Sequence, residues 1–218
     1  LKLVIIKNSK NLGIAQSLNK GIKEAKGKYI VRIDCGDIME ENRLTKQFKY
    51  MENHPDISLV GGLTKWIDSN GNIIGTYFPY RFGIDSTTIR KRALYRTYIV
   101  HTTWIVKKEL YYRVGFYNLD YILEDYEFLL RAISANYKVL MLPKYFTLIW
   151  KNDKGLSGNN RKAMIQKELL RIKIKYFGKI PSFMNLIGLI KSLVGLLFIR
   201  LLVYSIYNNK ESQLKNEN

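Results

Sequence analysis

Residues 28–37 read KYIVRIDCGD, and this stretch decides the fold. The segment Lys28–Asp34 carries the apolar, β-branched run of a strand and ends on an acid. A second acid, Asp37, follows three positions later. Ligands of open α/β sheets bind at the carboxyl ends of strands, so two acids at such an end predict a functional turn.

Strands and helices alternate on both sides of this stretch. Upstream, Leu3–Ile6 predicts a buried strand, and a helical pattern ends at Gly27. Downstream, the spacing predicts a helix over Ile38–Glu52, with Leu44, Phe48 and Met51 facing inward. The alternation continues to residue 150 and predicts an α/β fold whose mostly parallel sheet is flanked by helices.

The charge of the chain is strongly positive. The 218 residues include 36 basic and 18 acidic ones, a net charge of +18, and residues 151–218 hold half of that surplus. A basic surface attracts polyanions, and its position beside an apolar segment favours an anionic membrane surface, with a merely solvated face as the alternative. The sequence resembles no nucleic-acid-binding module, so no nucleic-acid partner is predicted. A single cysteine, Cys35, excludes an internal disulfide.

The C-terminal part of the chain contains a long apolar segment. Residues 182–207 are interrupted by only two charges, Lys191 and Arg200, which fall on opposite sides of a helical wheel. That is not the two-faced pattern of an interfacial helix. A membrane-associated helix, a core or oligomer-packing helix and a true membrane span all remain open. We predict one domain over residues 1–150 and a basic, then apolar, helical extension over residues 151–218.

Two pairs of acids are candidates for chemistry. Asp34 and Asp37 could hold Mg²⁺ or Mn²⁺, because Mg²⁺ needs few protein carboxylates when phosphates and waters complete its shell. Alternatively, Asp37 caps a helix that begins at Ile38, and Asp34 bonds within its turn. Glu124 and Asp125 open another helix, where acids suit the helix dipole. Their functional interpretation is a general base.

The motifs of this sequence, together with their order along the chain, resemble those of nucleotide-sugar glycosyltransferases of family 2, which have the GT-A type of fold. The similarity extends over roughly residues 3 to 150. It rests on NLGIAQSLNKGIKEAKGKYIVRIDCGD (residues 11–37), RLTKQFKYMENHPDISLVGG (residues 43–62), HTTWIVKKELYYRVGFY (residues 101–117) and EDYEFLLRAI (residues 124–133).

This resemblance implies an inverting transfer of a sugar from a nucleotide-diphosphate donor to a hydroxyl of a glycan or lipid-linked acceptor. Asp125 would be the catalytic base, with Glu124 beside it, and Asp34 and Asp37 would bind the divalent metal. Donor-binding roles fall on Asn11, Gly13, Arg32, Asp34 and His101. The implied process is cell-surface polysaccharide synthesis at the cytoplasmic face of the plasma membrane, with peripheral or C-terminal attachment.

The sequence departs from the family pattern in two ways. Gly36 occupies the position that usually supplies a metal ligand. Family members usually open with a strand–helix–strand unit of about 60–80 residues, and the resemblance begins at or just after that unit. These departures keep an alternative open, a catalytically impaired GT-A-like partner at the membrane or a gene remnant.

Overall fold

The computed structural model describes residues 3–77, 84–96, 99–150 and 162–198. The helices in these residues are α1 (Ile14–Glu24), α2 (Arg43–Asn53), α3 (Ser86–Arg92), α4 (Lys108–Val114), α5 (Glu124–Ser134), α6 (Lys162–Phe177) and α7 (183–198). The strands are β1 (Tyr29–Val31), β2 (Ile38–Met39), β3 (Ile57–Ile67), β4 (Ile73–Tyr77), β5 (Ile105–Lys107) and β6 (Lys138–Trp150). A short 3₁₀ turn, His101–Thr103, precedes β5.

The strands form one mixed sheet. Their order is β1-β5-β3-β6-β2, and β4 pairs with β3 as a hairpin. The long β3–β6 pair is parallel, whereas β1–β5, β3–β5, β3–β4 and β2–β6 are antiparallel. The predicted α/β class is therefore confirmed, but the sheet is mixed rather than mostly parallel. Alternation of strands and helices gives parallel pairs when consecutive strands become neighbours, whereas here β1 lies beside β5, β5 beside β3 and β2 beside β6, and these pairs are antiparallel.

Two glycines let other segments approach β3 closely. A Cβ at Gly61 would lie 1.9 Å from Cγ2 of Ile99, and one at Gly62 would lie 2.6 Å from the carbonyl oxygen of Lys144. The backbone N–H of Gly62 donates to Oγ1 of Thr103 (3.0 Å). The 3₁₀ turn is thereby held against the middle of the sheet.

The main hydrophobic core joins the sheet to the C-terminal helices. Trp104 and Phe128 are fully buried in it, and so are Ile172 and Tyr176 of α6 and Ile180 just beyond that helix. Burial of these apolar side chains stabilises the contact between α5 and α6. The helix α6 is therefore fixed beside the element that begins with Glu124 and Asp125.

The predicted strand at Leu3–Ile6 is wrong. Residues 3–6 lie outside every strand of the described chain, and Leu3 is 84% exposed. A strand requires a partner for its backbone hydrogen bonds, and the described residues supply none to this segment.

The predicted helix over Ile38–Glu52 is also wrong at its start. Residues 38–39 pair with β6 as β2, and the helix begins at Arg43. Met51 is fully buried as predicted, but Leu44 and Phe48 are half exposed instead of facing inward. The packed face of α2 therefore carries the polar side chains of Arg43 and Gln47 together with Met51.

The apolar segment at the C-terminus is helical over its described part, 183–198. In the part of the chain that the structure describes, no helix combines the length and the apolar character that crossing a bilayer requires. The predicted continuation to residue 207 lies outside the described residues.

Candidate active site

Asp34 and Asp37 lie in a tight turn that follows β1. The backbone N–H of Asp37 donates to the carbonyl oxygen of Asp34 (3.1 Å). Gly36 has φ +91°, a left-handed conformation that favours glycine, and a Cβ there would lie 3.2 Å from Cε3 of Trp150. The shape of this turn explains why glycine occupies the position at which the family pattern has an acid.

The carboxylate of Asp37 is held by two donors. Oγ1 of Thr102 donates to Oδ2 (2.9 Å), and the backbone N–H of Trp150 donates to Oδ1 (3.3 Å). The alternative in which Asp37 caps a helix at Ile38 is wrong, because Ile38 begins a strand. Burial raises the pKa of Asp37, the hydrogen bond from Thr102 lowers it, and the nearby charge of Asp34 raises it.

Arg32 supplies positive charge next to this turn. Its side chain is only 11% exposed, and its Nη2 lies 2.5 Å from Oδ1 of Asp34. The Nε atom of Arg32 is buried and has no hydrogen-bond partner among the described residues. A buried guanidinium with an unused donor is suited to binding an anionic group.

The second pair of acids opens α5. Burial and then the neighbouring charge of Asp125 raise the pKa of Glu124 to about 7, although the charge of Arg32 lowers it. Burial also raises the pKa of Asp125, although the backbone N–H of Tyr126 donates to its Oδ1 (2.7 Å) and stabilises the charged form. Both carboxyl groups are thus stronger proton acceptors than ordinary acids.

A buried chain of polar groups reaches Asp125 from the protein interior. Nδ1 of His101 lies 3.7 Å from Oδ2 of Asp125, and Nε2 lies 2.7 Å from the hydroxyl of Tyr117. That hydroxyl lies 3.0 Å from the hydroxyl of Tyr111. Burial holds the pKa of His101 well below its usual range, so the ring is neutral. A neutral ring that accepts from Tyr117 carries its proton on Nδ1, towards Asp125.

One turn therefore connects the two pairs of acids. His101 faces Asp125, and the adjacent residue, Thr102, bonds to Asp37. The charges of Arg32 and Asp34 act on Asp125 as well. Acids that are far apart in the sequence thus meet at a common position.

The sequence analysis did not identify Arg43, whose buried side chain holds the backbone next to the site. This side chain is 1% exposed, and its Nη2 donates to the carbonyl oxygens of Arg32 and Trp104 (3.2 Å each). Its Nε donates to Oε1 of Gln47 (2.9 Å). A signal existed, because Arg43, Gln47 and Met51 recur every four residues along α2 and mark one helical face.

Asn11 and Gly13 lie in the loop before α1. The backbone N–H of Gly13 donates to Oδ1 of Asn11 (2.9 Å), and its carbonyl accepts from Ser17. Within the described residues, their hydrogen bonds stay in this loop and α1. Contacts and charge interactions link Arg32, Asp34, Asp37, His101, Glu124 and Asp125, and no hydrogen bond or ion pair among the described residues joins Asn11 or Gly13 to them.

The residues at the turn fit a divalent cation whose coordination shell is completed mainly by water and phosphate oxygens. No group of three or more His, Cys, Asp or Glu side chains in the described ranges could enclose a metal. Asp34 and Asp37 nevertheless provide two carboxylates, and Asp34 is 45% exposed in its side chain. This donor set fits Mg²⁺ or Mn²⁺ that is completed by water and substrate phosphates rather than by protein.

Comparison with known proteins identifies the family. A family model described as Glycosyl transferase family 2 matches residues 1–115, more than half of the chain. The chain belongs to glycosyltransferase family 2. The matched residues include the Asp34–Asp37 turn and the His101–Thr103 turn, whereas Glu124 and Asp125 lie beyond them.

Relatives of this family 2 chain come from archaea and bacteria. An uncharacterized glycosyltransferase of Methanocaldococcus jannaschii is 35% identical over 144 residues, which cover 66% of this chain and 49% of the relative. The amylovoran biosynthesis glycosyltransferase AmsE of Erwinia amylovora is 26% identical over 208 residues, which cover 94% of this chain and 76% of the relative. The chain thus spans about half the length of the first of these relatives.

A solved structure confirms the predicted GT-A-like fold of this family 2 chain. The mannosyltransferase PcManGT from Pyrobaculum calidifontis, solved with GDP-Man and Mn²⁺, superposes with a TM-score of 0.56 at 12% identity. The match covers 88% of this chain and 52% of that chain. A likeness at this level of identity is a likeness of fold.

Proposed function

We propose that the protein is an inverting glycosyltransferase. It moves a sugar from a nucleoside-diphosphate donor to a hydroxyl of a glycan or lipid-linked acceptor, during cell-surface polysaccharide synthesis at the cytoplasmic face of the membrane. The observation that carries this proposal is the single turn whose His101 faces Asp125 and whose Thr102 bonds Asp37. Donor-side and acceptor-side groups of a transfer reaction need this proximity.

The reaction follows from the groups at the site. Asp125 takes the proton of the acceptor hydroxyl, and the hydroxyl oxygen forms a bond to the anomeric carbon. The bond from that carbon to the diphosphate oxygen breaks on the opposite side, and its electron pair leaves with the diphosphate. The raised pKa of Asp125 favours this proton transfer, because the driving force grows as the base strengthens.

The donor diphosphate needs positive charge around it. The buried guanidinium of Arg32 offers its unused Nε, and Asn11 and Gly13 are proposed to contribute donor contacts from the loop before α1. Asp34 and Asp37 would hold Mg²⁺ or Mn²⁺, which would offset the charge on the departing diphosphate. We also propose that residues 1–150 form the catalytic domain and that residues 151–218 associate with the membrane.

The test is a transfer and hydrolysis assay on the full chain with Mn²⁺ and a panel of UDP- and GDP-linked hexoses. Asp125→Asn is expected to reduce nucleoside-diphosphate release by about 10²-fold or more, since the general base is lost. Asp120→Asn is the control, because Asp120 is an exposed acid close in sequence. Equal rates for Asp125→Asn and the unaltered protein would contradict the proposal.

A second candidate function is binding without transfer, as a catalytically impaired partner at the membrane. Gly36 favours this function, because glycine has no side chain to supply a metal ligand. In addition, both carboxylate oxygens of the neighbouring Asp37 already accept hydrogen bonds. Calorimetric binding of UDP or GDP with no release of diphosphate from any donor would identify this function.

A further inference from the structure

The helix α7 has a covered face of small and polar residues and an exposed apolar face. The covered face carries Asn185, Gly188 and Ser192, which are buried at spacings of three and four residues. Asn185 accepts from the backbone N–H of Leu94 (2.9 Å), and Nζ of Lys173 donates to Oγ of Ser192 (2.7 Å). The helix is thus fixed across the segment after α3 and across α6.

The opposite face of α7 is exposed and apolar along its whole length. Its members recur three and four residues apart and are between 40% and 77% exposed. They include Phe183, Leu186, Ile190, Leu193, Leu197 and Phe198. A helix of 16 residues is about 24 Å long, so this stripe is a continuous apolar surface rather than scattered side chains.

Basic residues are concentrated in the segments that carry and support this stripe. The segments that form and support it, 84–96 and 162–198, contain 11 basic and 2 acidic residues, a net charge of +9. Exposed members of this set are Lys91, Arg96, Lys167, Arg171, Lys175, Lys179 and Lys191. An apolar stripe on a strongly basic part of the chain is complementary to an anionic bilayer, which offers acyl chains and negative headgroups.

The same charge argues against a second copy of this chain as the occupant. A two-fold contact through α7 would bring two strongly basic parts of the chain together, and like charges at an interface oppose association. Negative headgroups would instead neutralise this basic charge.

We propose that α7 lies flat on an anionic membrane and inserts its exposed apolar face between the headgroups. Because the covered face is packed against α6 and the segment after α3, only the exposed stripe enters the lipid. The helix α6 also contacts the segment before the candidate base, since Oε1 of Glu168 accepts from the backbone N–H of Ile122 (2.9 Å). Under the proposed function, this arrangement would hold Asp125 near lipid-linked acceptors.

The test is co-sedimentation of the full chain with vesicles of phosphatidylcholine alone or mixed equally with phosphatidylglycerol, with no donor or acceptor present. We expect binding to the anionic vesicles that falls as salt rises. The double variant Ile190→Glu, Leu197→Glu should bind at least about tenfold more weakly, because it puts charge in the inserted face. The control is Leu44→Glu, Ile74→Glu, which makes the same two replacements at positions that are equally exposed, 50% each.

Several outcomes would overturn the proposal. They are an equal loss of vesicle binding in both double variants, equal binding of the unaltered protein to neutral and anionic vesicles, or a lipid-free dimer that the α7 variant alone converts to monomer. The milder pair Ile190→Ser, Leu197→Ser repeats the test if the glutamate pair unfolds by circular dichroism. Because no sugar donor is used, a failure here leaves the transfer proposal untouched, and a failure of transfer leaves membrane binding untouched.

Discussion

The two glycines of α7 provide a matched test of how this helix packs. A Cβ at Gly188 would lie 2.3 Å from the carbonyl oxygen of Leu94 and 2.4 Å from Cα of Tyr95. These are backbone atoms, so they cannot move aside as a flexible side chain can. A Cβ at Gly195 would meet nothing closer than Oε1 of Gln166 at 3.6 Å, an ordinary contact.

The two changes to alanine should have opposite signs. Alanine is favoured over glycine in a helix by about 1 kcal/mol, so Gly195→Ala should raise the free energy of unfolding by up to that amount. Gly188→Ala has the same helical gain, but overpacking costs about 1–3 kcal/mol. Displacing α7 also strains the buried hydrogen bond from Leu94 to Asn185, worth about 1 kcal/mol. We expect a net loss of about 2 kcal/mol.

The assay is urea unfolding of both variants, followed by circular dichroism and analysed for the free energy of unfolding. The prediction is a difference of about 3 kcal/mol between the two alanine variants. The packing of α7 against Leu94 and Tyr95 would be refuted if Gly188→Ala were as stable as Gly195→Ala.

Three further changes test the site. Because the pKa of Glu124 is raised from 4.5 to about 7, its contribution to stability is present below pH 4.5 and is lost as pH rises towards 7. The free energy of unfolding should therefore fall by up to about 3 kcal/mol across that window, and Glu124→Gln should abolish this part of the pH dependence in urea titrations. Arg43→Met leaves several buried acceptors unpaired and should lower the free energy of unfolding by about 3–5 kcal/mol, whereas the exposed Lys46→Ala on the same helix should leave it within about 0.5 kcal/mol. Tyr117→Phe removes the hydroxyl bonded to His101, so the rate of transfer should fall while the KM for donor stays unchanged, and a changed KM with an unchanged rate would contradict this role.

Local patterns in the sequence predicted much of the element content. The apolar residues of α5 recur at helical spacing, and Phe128 and Ile133 are buried on its inner face. The resemblance to family 2, drawn from ordered motifs, is confirmed by the family match. The roles assigned to Asp34, Asp37 and Asp125 remain predictions.

Other features could not be inferred from local patterns. The helix α2 buries Arg43 and leaves Phe48 half exposed, the reverse of what hydrophobicity predicts. The reason is that carbonyl oxygens of Arg32 and Trp104 end near this face and need a donor, which an apolar side chain cannot supply. Such a requirement exists only after distant segments have come together.

The sequence by itself determined the alternation of strands and helices, the acidic turn after β1 and the positive charge of the C-terminal part. These are properties of neighbouring residues, so short-range sterics and hydrophobic periodicity are enough to specify them. Tertiary structure alone decided which strands pair, that His101 and Thr102 join the two pairs of acids, and which side of α7 faces outward. The apolar side of α7 faces outward because the packed side needs close contact, and the helix can approach the backbone of Leu94 only through Gly188.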